Sequence, residues 1–206
     1  FDLAPDQVRF VEGLAQVGTQ TITMAKVAEI MLADGRKPLS TYTYWAPETK
    51  PLGQGGDMHF AFSFAAQAAE VEVNLNTGET SVLQVITAND VGFAVNPLGL
   101  QGQMEGGVVM GVGHALTEGF WVDQGRVLTD RLARYRIPSI MQAPQVTSFV
   151  IEHPTEEGPF GAKGVGEVVI IPTVPAITNA IYNATGVRID SLPVDQEKIL
   201  KELGRF

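Results

Sequence analysis

Cysteine is absent from all 206 residues. Its absence excludes disulfides, thiolate nucleophiles and iron–sulfur ligation by this chain in any compartment. Positive charge is scarce as well, with 14 Lys and Arg against 23 Asp and Glu and a pI near 4.8. A surface of that sign repels phosphate backbones, and no basic cluster offsets it, so nucleic-acid binding is not expected. No apolar run reaches the roughly 18 to 20 residues of a membrane span, and no charged start leads into an apolar signal core. The expectation is a cytoplasmic protein without membrane association. Histidine is sparse too: His59, His114 and His153 lack metal-ligand spacing, His114 and Glu118 being only a helical i,i+4 pair. Without a Gly-x-Ser-x-Gly elbow, covalent hydrolase chemistry lacks its usual nucleophile.

Hydrophobic residues make up 45% of the chain and charged residues 18%, enough to bury a sizeable core in one globular domain or two small ones. Phe1-Asp2-Leu3 is not a natural start and leads straight into globular-type sequence, which suggests a fragment or a trimmed subunit. Thr23 stands as an N-cap ahead of Val27, Ile30 and Met31 at helical spacing, with Gly35 and Pro38 beyond, predicting a helix over 24–34. Residues 41–45 read as a strand, and Gly53-Gln54-Gly55-Gly56-Asp57 as a loop. Phe60, Phe62 and Phe64 alternate at period two and give way to Val71, Val73 and Leu75. A turn at Asn76-Thr77-Gly78 then leads to Val82-Leu83-Gln84-Val85-Ile86. Two long antiparallel strands account for this pattern, with the three phenylalanines as core strand residues.

Residues 96–118 predict a helix opening near Pro97. Gly102, Gly106, Gly107, Gly111 and Gly113 lie inside it, each costing about 1 kcal/mol relative to alanine. Several fall on similar sides, which points to close approach of another backbone or a ligand. A hairpin at Asp123-Gln124-Gly125, an irregular stretch to Pro138, a strand over 146–152 and a Pro/Gly-rich loop follow. After Pro172, Ala176, Ile177, Ala180 and Ile181 form a helical stripe ended by Gly186, and a short amphipathic helix begins at Pro193 with Ile199, Leu200 and Leu203. With no internal repeat and no linker, the class is α+β.

The stretch Gly158-Pro159-Phe160-Gly161-Ala162-Lys163-Gly164-Val165-Gly166-Glu167 is the most unusual. Its glycines free the backbone to turn N–H groups inward, and the following helix brings a positive dipole end, together making an anion or cofactor cradle. A P-loop is excluded because Gly164 follows Lys163 where Ser or Thr is needed. A dinucleotide fingerprint is excluded because Gly164-x-Gly166 lacks the third glycine. On spacing alone the residues also read as a surface turn ahead of a helix. Glu167 reads either as an acid at a helix start or, between Gly166 and Val168-Val169-Ile170, as a partly desolvated general base. The Gln103 amide in Gly102-Gln103-Met104-Glu105-Gly106-Gly107 both donates and accepts, which suits an oxo ligand or a pterin ring, and it reads equally as a solvent-facing side chain.

Taken together, residues 96–116 and 158–186 resemble the C-terminal half of the molybdopterin-binding subunit of the xanthine dehydrogenase and aldehyde oxidase family. Asn96-Pro97, the Gly102 to Gly107 segment and Gly111-x-Gly113 are similar to the segment that contacts the molybdenum cofactor, Gln103 matching its glutamine. Gly161-Ala162-Lys163-Gly164-Val165-Gly166-Glu167 resembles the loop whose backbone cradles the pterin and whose glutamate is the catalytic base. The resemblance runs nearly end to end and includes Val71-Glu72-Val73 and Arg134-Tyr135-Arg136-Ile137-Pro138. Many relatives carry proline where Val168 stands, a difference that bears on loop rigidity.

The resemblance implies an α+β fold with mixed and antiparallel sheets and long packed helices, residues 1–206 forming the C-terminal part of the molybdopterin-binding domain without its N-terminal half. It implies Glu167 as catalytic base and cofactor contacts from Gln103, Gly102, Lys163, Gly164, Val165 and Gly166, with no protein ligand directly on the metal. The implied cofactor is molybdopterin, as the cytosine dinucleotide, carrying molybdenum. FAD and 2Fe-2S clusters would sit on partner chains: an FAD subunit and an iron–sulfur subunit, beside the N-terminal half of the molybdenum subunit. The implied reaction hydroxylates an N-heterocycle or aldehyde with oxygen from water. In it Glu167 takes the proton from a molybdenum-bound hydroxide as hydride passes to a sulfido ligand. A reductive member similar to 4-hydroxybenzoyl-CoA reductase and a noncatalytic scaffold of the same fold stay open. Without its missing half the chain is expected to be inactive.

Overall fold

A two-residue turn at Glu12-Gly13, with φ of 50° and 76°, folds the chain back on itself in a computed structural model that describes Ala4 and residues 7–205. Phe1-Asp2-Leu3, on which the expectation of a trimmed start rests, lie outside the described residues. The chain divides into two units, Phe1–Trp45 and Ala46–Phe206.

In the first unit, β1 (Arg9–Val11), β2 (Leu14–Val17) and β3 (Gln20–Thr23) pair antiparallel in chain order. Strands this short leave no readable alternation, so the sequence holds no sign of them. The predicted helix is there as α1 (Met24–Ala33), its N-cap Thr23 accepting from the Lys26 N–H at 3.2 Å. Among the described residues of this unit only Ala15 is buried. The strand predicted over 41–45 is instead irregular chain, with Tyr42 and Trp45 exposed. Aromatic and β-branched residues favour a strand only where a neighbouring strand pairs with them, and among the described residues none does here.

The second unit is built on β4 (Ala65–Val73) and β5 (Thr80–Asp90), an antiparallel pair, with β8 (Gln145–Ile151) parallel to β5 on its other side. A parallel neighbour needs a crossover. Here it runs through α2 (Pro97–Leu116), the small hairpin of β6 (Val122–Asp123) and β7 (Arg126–Val127), and the single turn α3 (Leu132–Tyr135). α4 (Thr173–Thr185), ended by Gly186 at φ 78°, then packs on β4 and α2, and α5 (Gln196–Glu202) closes the chain. The core between sheet and helices holds Val85, Met104, Val108, Ile177, Ile181 and Ile199, all without exposed surface. Each such side chain stabilises the fold by about 1.5 to 3 kcal/mol, which offsets the glycine content of α2.

Two further expectations need correction. Phe60, Phe62 and Phe64 are not core strand residues: β4 starts after them, and all three are exposed. In β4 the odd-numbered residues turn toward the core, so the parity of Phe64 is that of the outward-facing Ala66, Ala68 and Glu70. The last helix begins at Gln196, not Pro193, because the Val194 N–H is taken by Ala115 O at 2.8 Å and the cap falls to Asp195, whose carboxylate accepts from the Glu197 N–H. No described helix is long and apolar enough to cross a membrane.

Candidate active site

The site grows from the C-terminal end of β5. Asp90 ends that strand with its side chain 10% exposed, facing the Lys163 ammonium at 2.6 Å, itself 7% exposed. The other Asp90 oxygen accepts from the Gly92 N–H at 3.0 Å. Burial pushes the Asp90 carboxyl up, but the Lys163 ammonium, the Gly92 N–H and the nearby His153 together outweigh it and hold it below 3.8. Gly92 must be glycine: its φ is 67°, and a Cβ there would lie 2.1 Å from Gly161 O and 2.9 Å from Lys163 N. Phe93 N–H and Thr155 N–H both donate to Gly161 O, and Lys163 N–H donates to Val91 O at 2.9 Å. The loop over 158–167 is thereby pinned to the strand end.

Lys163 accordingly turns inward, its ammonium and its N–H both engaged within the chain. Beyond it the loop opens. Among the described residues, nothing accepts from the N–H groups of Gly164, Val165, Gly166 or Glu167. Gly164 and Gly166 are exposed, Val165 is buried, and Ser63 Oγ donates to Gly164 O at 3.2 Å. Glu167 departs from expectation in two respects. Its side chain is exposed rather than partly desolvated, because Val169 takes the buried position of the turn and carries the apolar packing inward. It also lies within the turn over 166–172 rather than opening the helix, since α4 starts only at Thr173.

The second motif reaches the same place. Asn96 caps α2, its side-chain oxygen accepting from the Gly99 N–H at 3.0 Å. From the first turns of this helix the exposed Gln103 amide approaches the loop, and a Cβ on Gly166 would lie 3.7 Å from Gln103 Nε2. Gln103, Lys163 and Ala162 also line a cleft of about 410 Å³ with Phe93, Val95 and Leu100. Four of the α2 glycines divide into two sets, while Gly113 faces Glu118 and Pro138. Gly107 and Gly111 meet Val169 and Thr173, where a Cβ would come within 2.9 and 2.4 Å, whereas Gly102 and Gly106 have nothing within 4 Å. The predicted close approach is thus filled on one side by the turn before α4 and open on the other.

Sequence reading missed Asp90 and Gln67. Gln67 Nε2 donates to Val169 O at 2.7 Å and to Thr87 Oγ1 at 3.0 Å. A lone Asp at a strand end and a lone Gln within a strand carry no local signal of such long-range partners. Among the described residues no three His, Cys, Asp or Glu side chains are grouped to hold a metal ion. Open N–H groups, glycine Cα atoms without neighbours and one amide able to donate and accept do fit a neutral-edged organic cofactor with anionic parts.

The model of the molybdopterin cofactor-binding domain family matches residues 1–144. The chain is 37% identical over 159 residues to one of the probable xanthine dehydrogenase subunits of Bacillus subtilis, covering 77% of this chain and 21% of that protein. It is 40% identical over 149 residues to an aldehyde oxidoreductase of Megalodesulfovibrio gigas, covering 72% and 16%. The molybdenum-binding subunit of an Escherichia coli aldehyde oxidoreductase is 31% identical over 202 residues, covering 97% and 26%. The chain therefore spans about a sixth to a quarter of the length of these relatives. Among solved structures, the aldehyde oxidoreductase from Desulfovibrio gigas matches with a TM-score of 0.68 and 35% identity over 77% of this chain and 17% of that one. Quinoline 2-oxidoreductase from Pseudomonas putida 86 matches with a TM-score of 0.74 over 98% of this chain and 26% of that one, and at 24% identity it speaks for the fold alone. The fold is thus α+β with mixed sheets and long packed helices, as in those enzymes.

Proposed function

Because the chain belongs to the molybdopterin cofactor-binding domain family, alongside the molybdenum-binding subunits of xanthine dehydrogenases and aldehyde oxidoreductases, we propose that it forms the C-terminal part of the catalytic subunit of a molybdenum-dependent hydroxylase. One observation carries this reading. The Gln103 amide meets Gly166 at the end of a backbone run whose N–H groups lack acceptors, and that run leads into Glu167.

Molybdopterin, bound there as its cytosine dinucleotide, supplies a Lewis-acidic, redox-active metal. This chain's work is to hold it and to move one proton. Gly102 has no side chain to obstruct the ring system, Gln103 donates and accepts at its edge, and the run anchored by Lys163 offers it the open N–H groups of Gly164, Val165 and Gly166. Glu167 takes the proton from the attacking oxygen, which derives from water, as the carbon of an aldehyde or N-heterocycle is oxidised. Its exposed position leaves it open to that oxygen, and closure of substrate and the rest of the subunit over it supplies the desolvation that the chain itself does not. With no cysteine here, 2Fe-2S clusters reside on an iron–sulfur subunit and FAD on another, beside the N-terminal half of the molybdenum subunit, in a cytoplasmic assembly.

In the molybdenum-loaded assembly, Glu167→Gln is expected to retain its metal while turnover falls on the order of 10³-fold or more. Metal analysis and steady-state kinetics on an aldehyde or N-heterocycle check this. Undiminished turnover would remove the base and leave a noncatalytic scaffold.

A further inference from the structure

The loop carrying Glu167 is gripped on both sides of it by polar contacts that reach back to the sheet. Upstream, Lys163 Nζ meets Asp90 Oδ2 at 2.6 Å with both side chains covered, and Lys163 N–H donates to Val91 O. Downstream, Val169 O accepts from Gln67 Nε2 at 2.7 Å and from Thr173 Oγ1 at 3.1 Å. Gln67 is itself fixed by Thr87 Oγ1, which also accepts from Asn89 Nδ2 at 2.8 Å, and Thr87, Asn89 and Thr173 have no exposed surface. Between the two grips, the N–H groups of Gly164 to Glu167 make no hydrogen bond that would fix the loop locally. A segment with glycines at 164 and 166 and no internal hydrogen bonds has many conformations available. Ser63 Oγ on Gly164 O and the buried Val165 side chain hold its first half, and the position of Glu167 beyond them depends on the separation and direction of the two ends, set by β4 and β5.

We infer that Asp90 and Gln67 are positioning residues for Glu167, holding the loop at Lys163 and at Val169 so that the carboxylate keeps one geometry. The inference rests on the proposed role of Glu167. Asp90 and Gln67 act through the backbone of the loop, each from a different strand. Asp90 grips a side chain by charge, and Gln67 grips a carbonyl by a neutral hydrogen bond.

The test uses the intact protein that carries this chain, with Asp90→Asn and Gln67→Ala each made alone and on top of Glu167→Gln. In the protein isolated without cofactor, exchange at the hydrogen-bonded amides of 160–172, among them Lys163 and Ile170, is expected to rise by about 10-fold or more in either variant beyond any change in peptides of α4 and of the β4–β5 hairpin, which report global opening. In the loaded protein, kcat is expected to fall by about 100-fold with KM within about 3-fold of its original value and molybdenum content retained. Adding either change to Glu167→Gln is expected to cost nothing further, because both act through the same carboxylate. Unchanged exchange over 160–172, or losses that multiply in the double variants, would overturn the inference. If Asp90→Asn does not accumulate as folded protein, Gln67→Ala gives the same readouts at the second grip. Should Glu167→Gln itself leave turnover intact, the base is refuted, and the exchange measurement still decides on its own whether Asp90 and Gln67 hold the loop.

Discussion

Lys163 shows how a residue in a cofactor-binding motif can serve the site from within. Its ammonium is spent on Asp90 under cover from solvent, so removing one partner leaves a buried charge unpaired. Lys163→Met is therefore expected to destabilise the fold by about 3 to 5 kcal/mol, and Lys163→Met with Asp90→Asn to recover part of that. Denaturant unfolding of the two variants beside the original protein checks both. The pair also has a pH signature. The folded Asp90 carboxyl lies below 3.8, so its stabilising contribution is fully present above that value and is lost as pH falls through the folded value. The stability gap between the original protein and Asp90→Asn is expected to be constant near neutrality and to shrink below about pH 4. A gap independent of pH down to acid unfolding would contradict the pairing. Gln103→Ala, which truncates an exposed side chain, is expected to leave the fold intact while weakening cofactor retention by about 1 to 3 kcal/mol. Unchanged molybdenum content and rate would count against its role.

Among the elements, α2 is the most informative, because its glycines sort by what faces them. A Cβ at 111 would stand 2.4 Å from the Thr173 Cβ, and the turn it presses on is the one that carries Val169. Gly111→Ala is expected to destabilise by about 1 to 3 kcal/mol through overpacking, overriding the roughly 1 kcal/mol that alanine adds to a helix. At Gly102 the space is open, so Gly102→Ala is expected to stabilise the cofactor-free protein slightly and to lower cofactor content, read by thermal melts and metal analysis. α1, α2 and α4 were legible in the sequence because length, the cap at Thr23, Pro97 at the start of α2, and the terminal Gly186 all agree. Three-residue and four-residue strands were not legible, and neither was the parallel pairing of β8 with β5, since nothing local in a strand names its neighbour. Likewise the two motifs around Gln103 and Glu167 could be found by residue type and spacing. Their anchors could not, since Asp90 and Lys163 are 73 residues apart and Gln67 and Val169 are 102 apart. The exposure of Glu167 was also beyond reach, because apolar neighbours predict burial only if all of them turn inward, and the turn sends Val169 in and Glu167 out.

For the whole molecule, the exposed surface is rich in large apolar side chains, among them Phe60, Phe62, Phe64, Leu98, Met110 and Phe160. Large apolar side chains exposed in such number call for a covering partner. On the proposed function, these side chains are covered by the rest of the subunit, since the chain matches only about a sixth to a quarter of the length of its relatives. Produced by itself, the chain is expected to retain no molybdenum and to turn over no aldehyde or N-heterocycle, as metal analysis and rate measurements on the isolated chain would establish. The cradle around Glu167 is tested most directly by an experimental structure of the molybdenum-loaded assembly. The account predicts cofactor atoms within hydrogen-bond distance of Gln103 and of the N–H groups between Gly164 and Gly166, with the Glu167 carboxylate facing the metal's open side. A cofactor seated elsewhere, with Glu167 in bulk water, would contradict it.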